Sequence, residues 1–74
     1  MTKYYWILDT KVSFNKCWDY RDENRQLQAY VIQIASEYPW QIRLRADGRF
    51  VKVATKYATL DEAKAITEAL VAMR

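Results

Sequence analysis

The sequence predicts an α+β fold, an antiparallel sheet of four or five strands packed by one carboxy-terminal helix, in a single domain over residues 1–74. Three observations lead there. Apolar and polar residues alternate on both sides of Asp47-Gly48, Thr59-Leu60-Asp61-Glu62 reads as a helix-starting cap, and the amino-terminal half carries short aromatic and β-branched runs.

Taken in order, Tyr4 to Leu8 is an unbroken aromatic and aliphatic run of the kind found in a strand covered on both sides. Asp9 and Thr10 interrupt it. Val12 and Phe14 then alternate with Lys11, Ser13 and Asn15, which suggests a second strand or a continuation of the first. Asp19 to Asn24 is polar and reads as an exposed loop. Residues 26–36 fit two templates: Leu27, Tyr30, Val31 and Ile34 would line a helix, whereas Tyr30, Ile32 and Ile34 would line a strand. The β-branched Val31, Ile32 and Ile34 and the nearby Pro39 favour the strand, with an additional helix at about 21–36 as the alternative.

Trp40, Ile42 and Leu44 alternate with Gln41, Arg43 and Arg45, and Asp47-Gly48 supplies the positive-φ pair of a tight hairpin. On the return strand, Arg49 to Thr55, Val51 and Val53 can face a core while Phe50, Lys52 and Lys56 project from the other side. A helix then starts at the capping box, Thr59 accepting from the Glu62 amide. Leu60, Ala63, Ile66, Leu70 and Met73 form its buried stripe, with Asp61, Lys64 and Glu68 toward solvent.

Composition narrows the function. Hydrophobic residues make up 51% of the 74 and charged residues 28%, with one Gly and one Pro, so the chain is expected to fold throughout. Without histidine, the commonest general base and metal ligand is missing, and the paired acids Asp22-Glu23 and Asp61-Glu62 have plain uses in a loop and a helix cap. A single glycine precludes a glycine-rich phosphate cradle. The expectation is a non-enzymatic protein with no small-molecule cofactor and no metal. The lone Cys17 cannot form an internal disulfide and reads as a small buried hydrophobe. No apolar run approaches the ~18 residues of a membrane span, and no secretory signal is visible, so a reducing cytoplasm is the expected setting.

The charge is local. Between Gln41 and Lys56, Arg43, Arg45, Arg49, Lys52 and Lys56 oppose Asp47 alone, five cations less one anion giving +4. Residues 1–40 carry five of each sign and residues 57–74 two cations against three anions, so the overall +3 originates in the hairpin. Exposed strand cations often serve only solubility and edge protection. Here, however, Arg43, Arg45 and Lys52 can share one face with Phe50 and Gln41, opposite the face a helix would cover, and such a face suits phosphates and bases. Six Tyr, three Trp and two Phe exceed what so small a core needs, and exposed aromatics near Arg equally suit a protein interface.

From Val31 to Leu70 the chain resembles the three-stranded-sheet-plus-helix DNA-binding domains found at the amino ends of tyrosine integrases and in plant ethylene-response transcription factors. The resemblance rests on Val31 to Ala35 as first strand, the Trp-led, Arg-containing Trp40 to Arg45, the Asp47-Gly48 turn, and Tyr57-Ala58-Thr59-Leu60-Asp61-Glu62-Ala63 leading into the helix. It implies that the sheet enters the major groove and that Arg43, Arg45, Lys52 and Arg49 make the contacts. The chain departs from the pattern in lacking arginines on the first strand and in carrying a long amino-terminal extension. In size and composition it is also similar to small phage-encoded proteins that inhibit a host enzyme or defence complex. The leading expectation is a phage-derived regulator binding duplex DNA through Arg43, Arg45, Lys52, Arg49, Phe50 and Gln41. The alternative is an inhibitor of a host nucleic-acid-handling protein complex, and exposed strand edges leave room for a homodimer.

Overall fold

The computed structural model describes residues 3–9 and 16–73. Five strands, β1 (Tyr4–Asp9), β2 (Cys17–Asp22), β3 (Leu27–Gln33), β4 (Trp40–Ala46) and β5 (Arg49–Tyr57), precede one helix, α1 (Leu60–Ala72). The strands form one antiparallel sheet in chain order, β1-β2-β3-β4-β5, and α1 packs against one face of it. The expected α+β architecture is present, with five strands.

Helix-side residues follow from the pleat. Val31 and Ile42, register partners on β3 and β4, are fully buried against Ala63. Trp40, Val53, Tyr57, Leu60 and Ile66 close around them. A second cluster joins Tyr20, Ala29 and Val71, and Trp6 packs against both. Ala63, at the centre of the contact, lets the helix approach the sheet closely. Thr67 is also fully buried, and its hydroxyl is satisfied by donating to the Ala63 carbonyl at 2.8 Å. The helix stripe therefore runs through Ala63, Thr67 and Val71, whereas Met73, expected to be buried, is the C-cap residue and 82% exposed. Lys64 is not simply solvated: its Nζ lies 3.8 Å from the centre of the Trp18 ring and 5.3 Å from that of Trp6. Glu68 accepts from Trp6 Nε1 at 3.0 Å, tying α1 to the β1 edge of the sheet.

Of the two local signals nearest the helix, the turn forms in full and the capping box in its Thr59 half, with no hydrogen bond from the Thr59 amide to the Glu62 carboxylate among the described residues. Asp47 and Gly48 have φ of 51° and 78° and join the closing pair Ala46↔Arg49, the arrangement a two-residue turn requires. Thr59 caps α1 by accepting from the Glu62 amide at 3.2 Å.

Three expectations change. Residues 26–36 hold a strand rather than a helix, but its buried face is Ala29 and Val31, leaving Tyr30 and Ile32 on the other side. Asp19 to Asn24 is not an exposed loop: β2 continues to Asp22, and Asp19 and Asp22 are buried. The reason is hydrogen bonding. The Asp22 carboxylate accepts from the Asn24 and Gln26 amides at 2.9 and 3.0 Å and from Gln28 Nε2 at 3.0 Å, organising the turn into β3, while Asp19 pairs with Arg21 at 2.9 Å. Finally, β1 is not covered on both sides. It is an edge strand, and Tyr4, Tyr5, Ile7 and Leu8 are exposed because α1 reaches only as far as Trp6. The strand expected around Val12 and Phe14 lies outside the described residues.

Candidate nucleic-acid interface

One sheet face carries the helix, and among the described residues no element covers the other. The two amino-terminal strands extend the sheet sideways from β3 rather than folding over it. Cross-strand partners share a face, so the register specifies what this open face displays. One row runs Ile7, Asp19, Tyr30, Arg43, Lys52 from β1 to β5, and the neighbouring row runs Asp9, Cys17, Ile32, Gln41, Lys56. Arg45 and Phe50 form a further pair at the hairpin end. Cations crowd this face over β4 and β5, whereas over β1 and β2 the carboxylates of Asp9 and Asp19 are accompanied by Arg21, which stands opposite Tyr5 and pairs with Asp19. With strands ~4.8 Å apart, Asp19 and Lys52 are separated by three spacings, or roughly 14 Å.

On the basic side, Arg43, Arg45 and Lys52 lie together as expected, and Lys56 joins them through its pairing with Gln41. Lys52 and Lys56 are exposed; Arg43 and Arg45 are half-buried. Phe50 is 37% exposed and meets the Tyr30 ring at 5.3 Å and 56°, placing a tilted aromatic pair beside the cations. Tyr30 is the member that sequence reasoning missed. The strand reading set Tyr30 with Ile32 and Ile34 as the lining face, whereas the helix covers the alternate residues Ala29 and Val31 and leaves Tyr30 on the open side.

Two expected members do not belong to this surface. Gln41 has the right orientation but is 2% exposed, and its Oε1 accepts from Arg43 Nη2 at 3.4 Å, so it orients the arginine instead of meeting a ligand. Arg49 is exposed but pairs with Ala46, on the helix side of the hairpin tip and opposite Phe50 in the alternation.

Arg43, Lys52 and Lys56 lack a carboxylate partner among the described residues, where the sole ion pair joins Arg21 to Asp19. Arg43 Nε is buried without an acceptor. Arg45 has a neighbour in Gln26, whose side-chain oxygen, turned toward it, accepts from both terminal guanidinium nitrogens at 2.5 and 3.0 Å.

On the acidic side a recess of about 290 Å³ is lined by Asp9, Cys17, Asp19, Arg21, Leu27, Tyr30 and Ile32. The ligand-type atoms of Asp9, Cys17 and Asp19 lie within 4.8 Å of one another, the one grouping among the described residues that could hold a metal ion. Its present chemistry opposes that use. Burial, followed by the neighbouring Asp19 and Asp9 charges, pushes the Cys17 thiol up to about 12, so it is a neutral donor to Asp19 at 3.7 Å, while Asp19 is already engaged by Arg21. A cation would have to deprotonate the first and displace the partner of the second.

Compared with protein-family models, curated proteins and solved structures, the chain matches none. No helix among the described residues is long and apolar enough to cross a membrane.

Proposed function

We propose that this is a non-enzymatic binding protein whose open sheet face grips the phosphate backbone of duplex DNA through Arg43, Arg45, Lys52 and Lys56. The observation that carries the reading is the direct opposition of Arg43 and Lys52 on a helix-free face, with no carboxylate paired to either among the described residues. Like charges placed opposite each other cost stability in the free protein. An anion bridging them turns that cost into attraction, and phosphates supply such anions in a regular row.

The concentration of cations on β4 and β5 adds orientation: the duplex lies along those two strands, and the Tyr30–Phe50 pair supplies an apolar contact beside the charged ones. The lateral placement of β1 and β2 supports the same reading, since it leaves the hairpin face open as in the sheet-based DNA-binding domains that the sequence resembles. A regulator that a phage encodes is a natural setting for such a protein.

A generic-duplex electrophoretic shift at two salt concentrations tests the proposal when run beside an acidic protein of similar charge. Retardation of DNA that weakens steeply with salt supports it. Binding to the acidic protein alone transfers the surface to a protein partner, the inhibitor reading.

A further inference from the structure

The two edges of the sheet differ. On β5 the outer strand carries Arg49, Lys52 and Lys56, and its register with β4 is irregular between Gln41 and Arg43, features that discourage edge-to-edge pairing. The β1 edge has no such irregularity, and its one charge, Asp9, stands at its end. Its register with β2 is unbroken from Tyr4↔Asp22 to Asp9↔Cys17, and Tyr4-Tyr5-Trp6-Ile7-Leu8 contains no charge and no proline. Among the described residues no strand pairs with its outer side. Tyr4, Tyr5, Ile7 and Leu8 are 38%, 39%, 48% and 42% exposed, so apolar surface flanks that edge on both faces of the sheet.

We propose that β1 is a homodimer interface, in which two copies pair their β1 edges antiparallel about a two-fold axis at Trp6. The charge pattern selects both the occupant and the register. A two-fold perpendicular to the sheet keeps each face continuous only if it passes through a residue, because paired residues must then have the same parity. Centred on Trp6, Tyr5 meets the partner's Ile7, Tyr4 meets the partner's Leu8, and Lys3 meets the partner's Asp9. Every pair is apolar or oppositely charged. Centring on Tyr5 instead sets Lys3 against the partner's Ile7, and centring on Ile7 sets Tyr5 against the partner's Asp9. The strand is thus self-complementary in one register, and this holds whatever the basic face binds. The contact is short beside a standard interface of ~1,600 Å². Dimer and monomer therefore exchange with concentration.

The test uses full-length chains with Cys17 left in place, where it is buried. Tyr5→Cys and Ile7→Cys chains carrying different affinity tags are mixed and mildly oxidised, and far-UV circular dichroism checks that each keeps the parent fold. The expected result is a Tyr5→Cys to Ile7→Cys disulfide several-fold more abundant than either symmetric one. In analytical ultracentrifugation the parent's weight-average mass climbs toward that of a dimer with concentration, while a folded Ile7→Lys variant remains monomeric. A parent that stays monomeric up to its solubility limit overturns the proposal, as do disulfides formed in statistical proportion.

Discussion

Arg43 and Lys52 stand directly opposite each other across β4 and β5, two cations on one sheet face with no paired carboxylate among the described residues. Tyr30 continues the row on β3 and stacks at a tilt on Phe50, so the cations are set beside apolar ring surface as well as beside each other. Like charge at register partners weakens a sheet, and the buried Arg43 Nε has no acceptor. The proposed binding activity and the stability of the free fold accordingly pull in opposite directions at these positions.

That opposition gives a first prediction. Lys52→Glu replaces a like-charge pair by an opposite one and should stabilise the free protein by ~0.2–1 kcal/mol, seen as a higher thermal midpoint. The same variant should bind duplex DNA more weakly than the parent. A variant that gains stability and keeps its affinity would separate Lys52 from the binding surface.

Helix initiation rests on Thr59, whose hydroxyl accepts from the Glu62 amide at 3.2 Å. Thr59→Ala should cost about 1 kcal/mol, and adding Glu62→Ala should raise the total to about 1–2 kcal/mol by also removing a first-turn anion at the positive end of the helix dipole. Chemical denaturation of the single and double variants measures both steps. In a domain this small, either change should lower the midpoint visibly.

Cys17 should resist alkylation in the native state at mildly alkaline pH and react only on unfolding, because burial and the Asp19 and Asp9 charges raise its thiol to about 12. The sign of the linked stability follows. A thiol whose folded value lies above its unfolded one binds more protons when folded, so its contribution is full below the unfolded value of ~8.5 and is lost as pH rises toward the folded one. Burial likewise raises Tyr20, with Glu68 and Tyr4 adding to it, and this acts in the same alkaline direction. Stability followed by denaturation should therefore fall with pH across the alkaline range, and Cys17→Ala should flatten part of the decline.

The local devices of the fold are legible in the sequence. Asp47-Gly48 and Thr59-to-Glu62 are local devices whose geometry depends on a few adjacent residues, and the turn and the Thr59 half of the cap form where the pattern places them. Alternation likewise gave Arg43, Arg45 and Lys52 a common face. What escaped depends on distant partners. Asp19 and Asp22 look like loop residues until Arg21 and the amides and side chain of Asn24, Gln26 and Gln28 are placed around them. Tyr4 to Leu8 looks buried because nothing in an apolar run states how far a single helix reaches across the sheet. Gln41 illustrates the same limit: its face follows from alternation, but its burial depends on neighbours that a period-2 pattern does not specify.

The measurement that bears most directly on the central claim is the salt dependence of duplex binding by the parent and by Arg43→Ala/Arg45→Ala/Lys52→Ala. These side chains lie on the face away from the helix-packed core, so the triple variant should retain the parent's circular dichroism. Each phosphate contact contributes about −0.9 to the slope of log affinity against log salt, so losing three should flatten the parent's slope by about 2 to 3 units and weaken binding most at low salt. Parallel slopes for a folded triple variant and the parent, or no duplex binding by the parent at ~50 mM salt, would contradict the account.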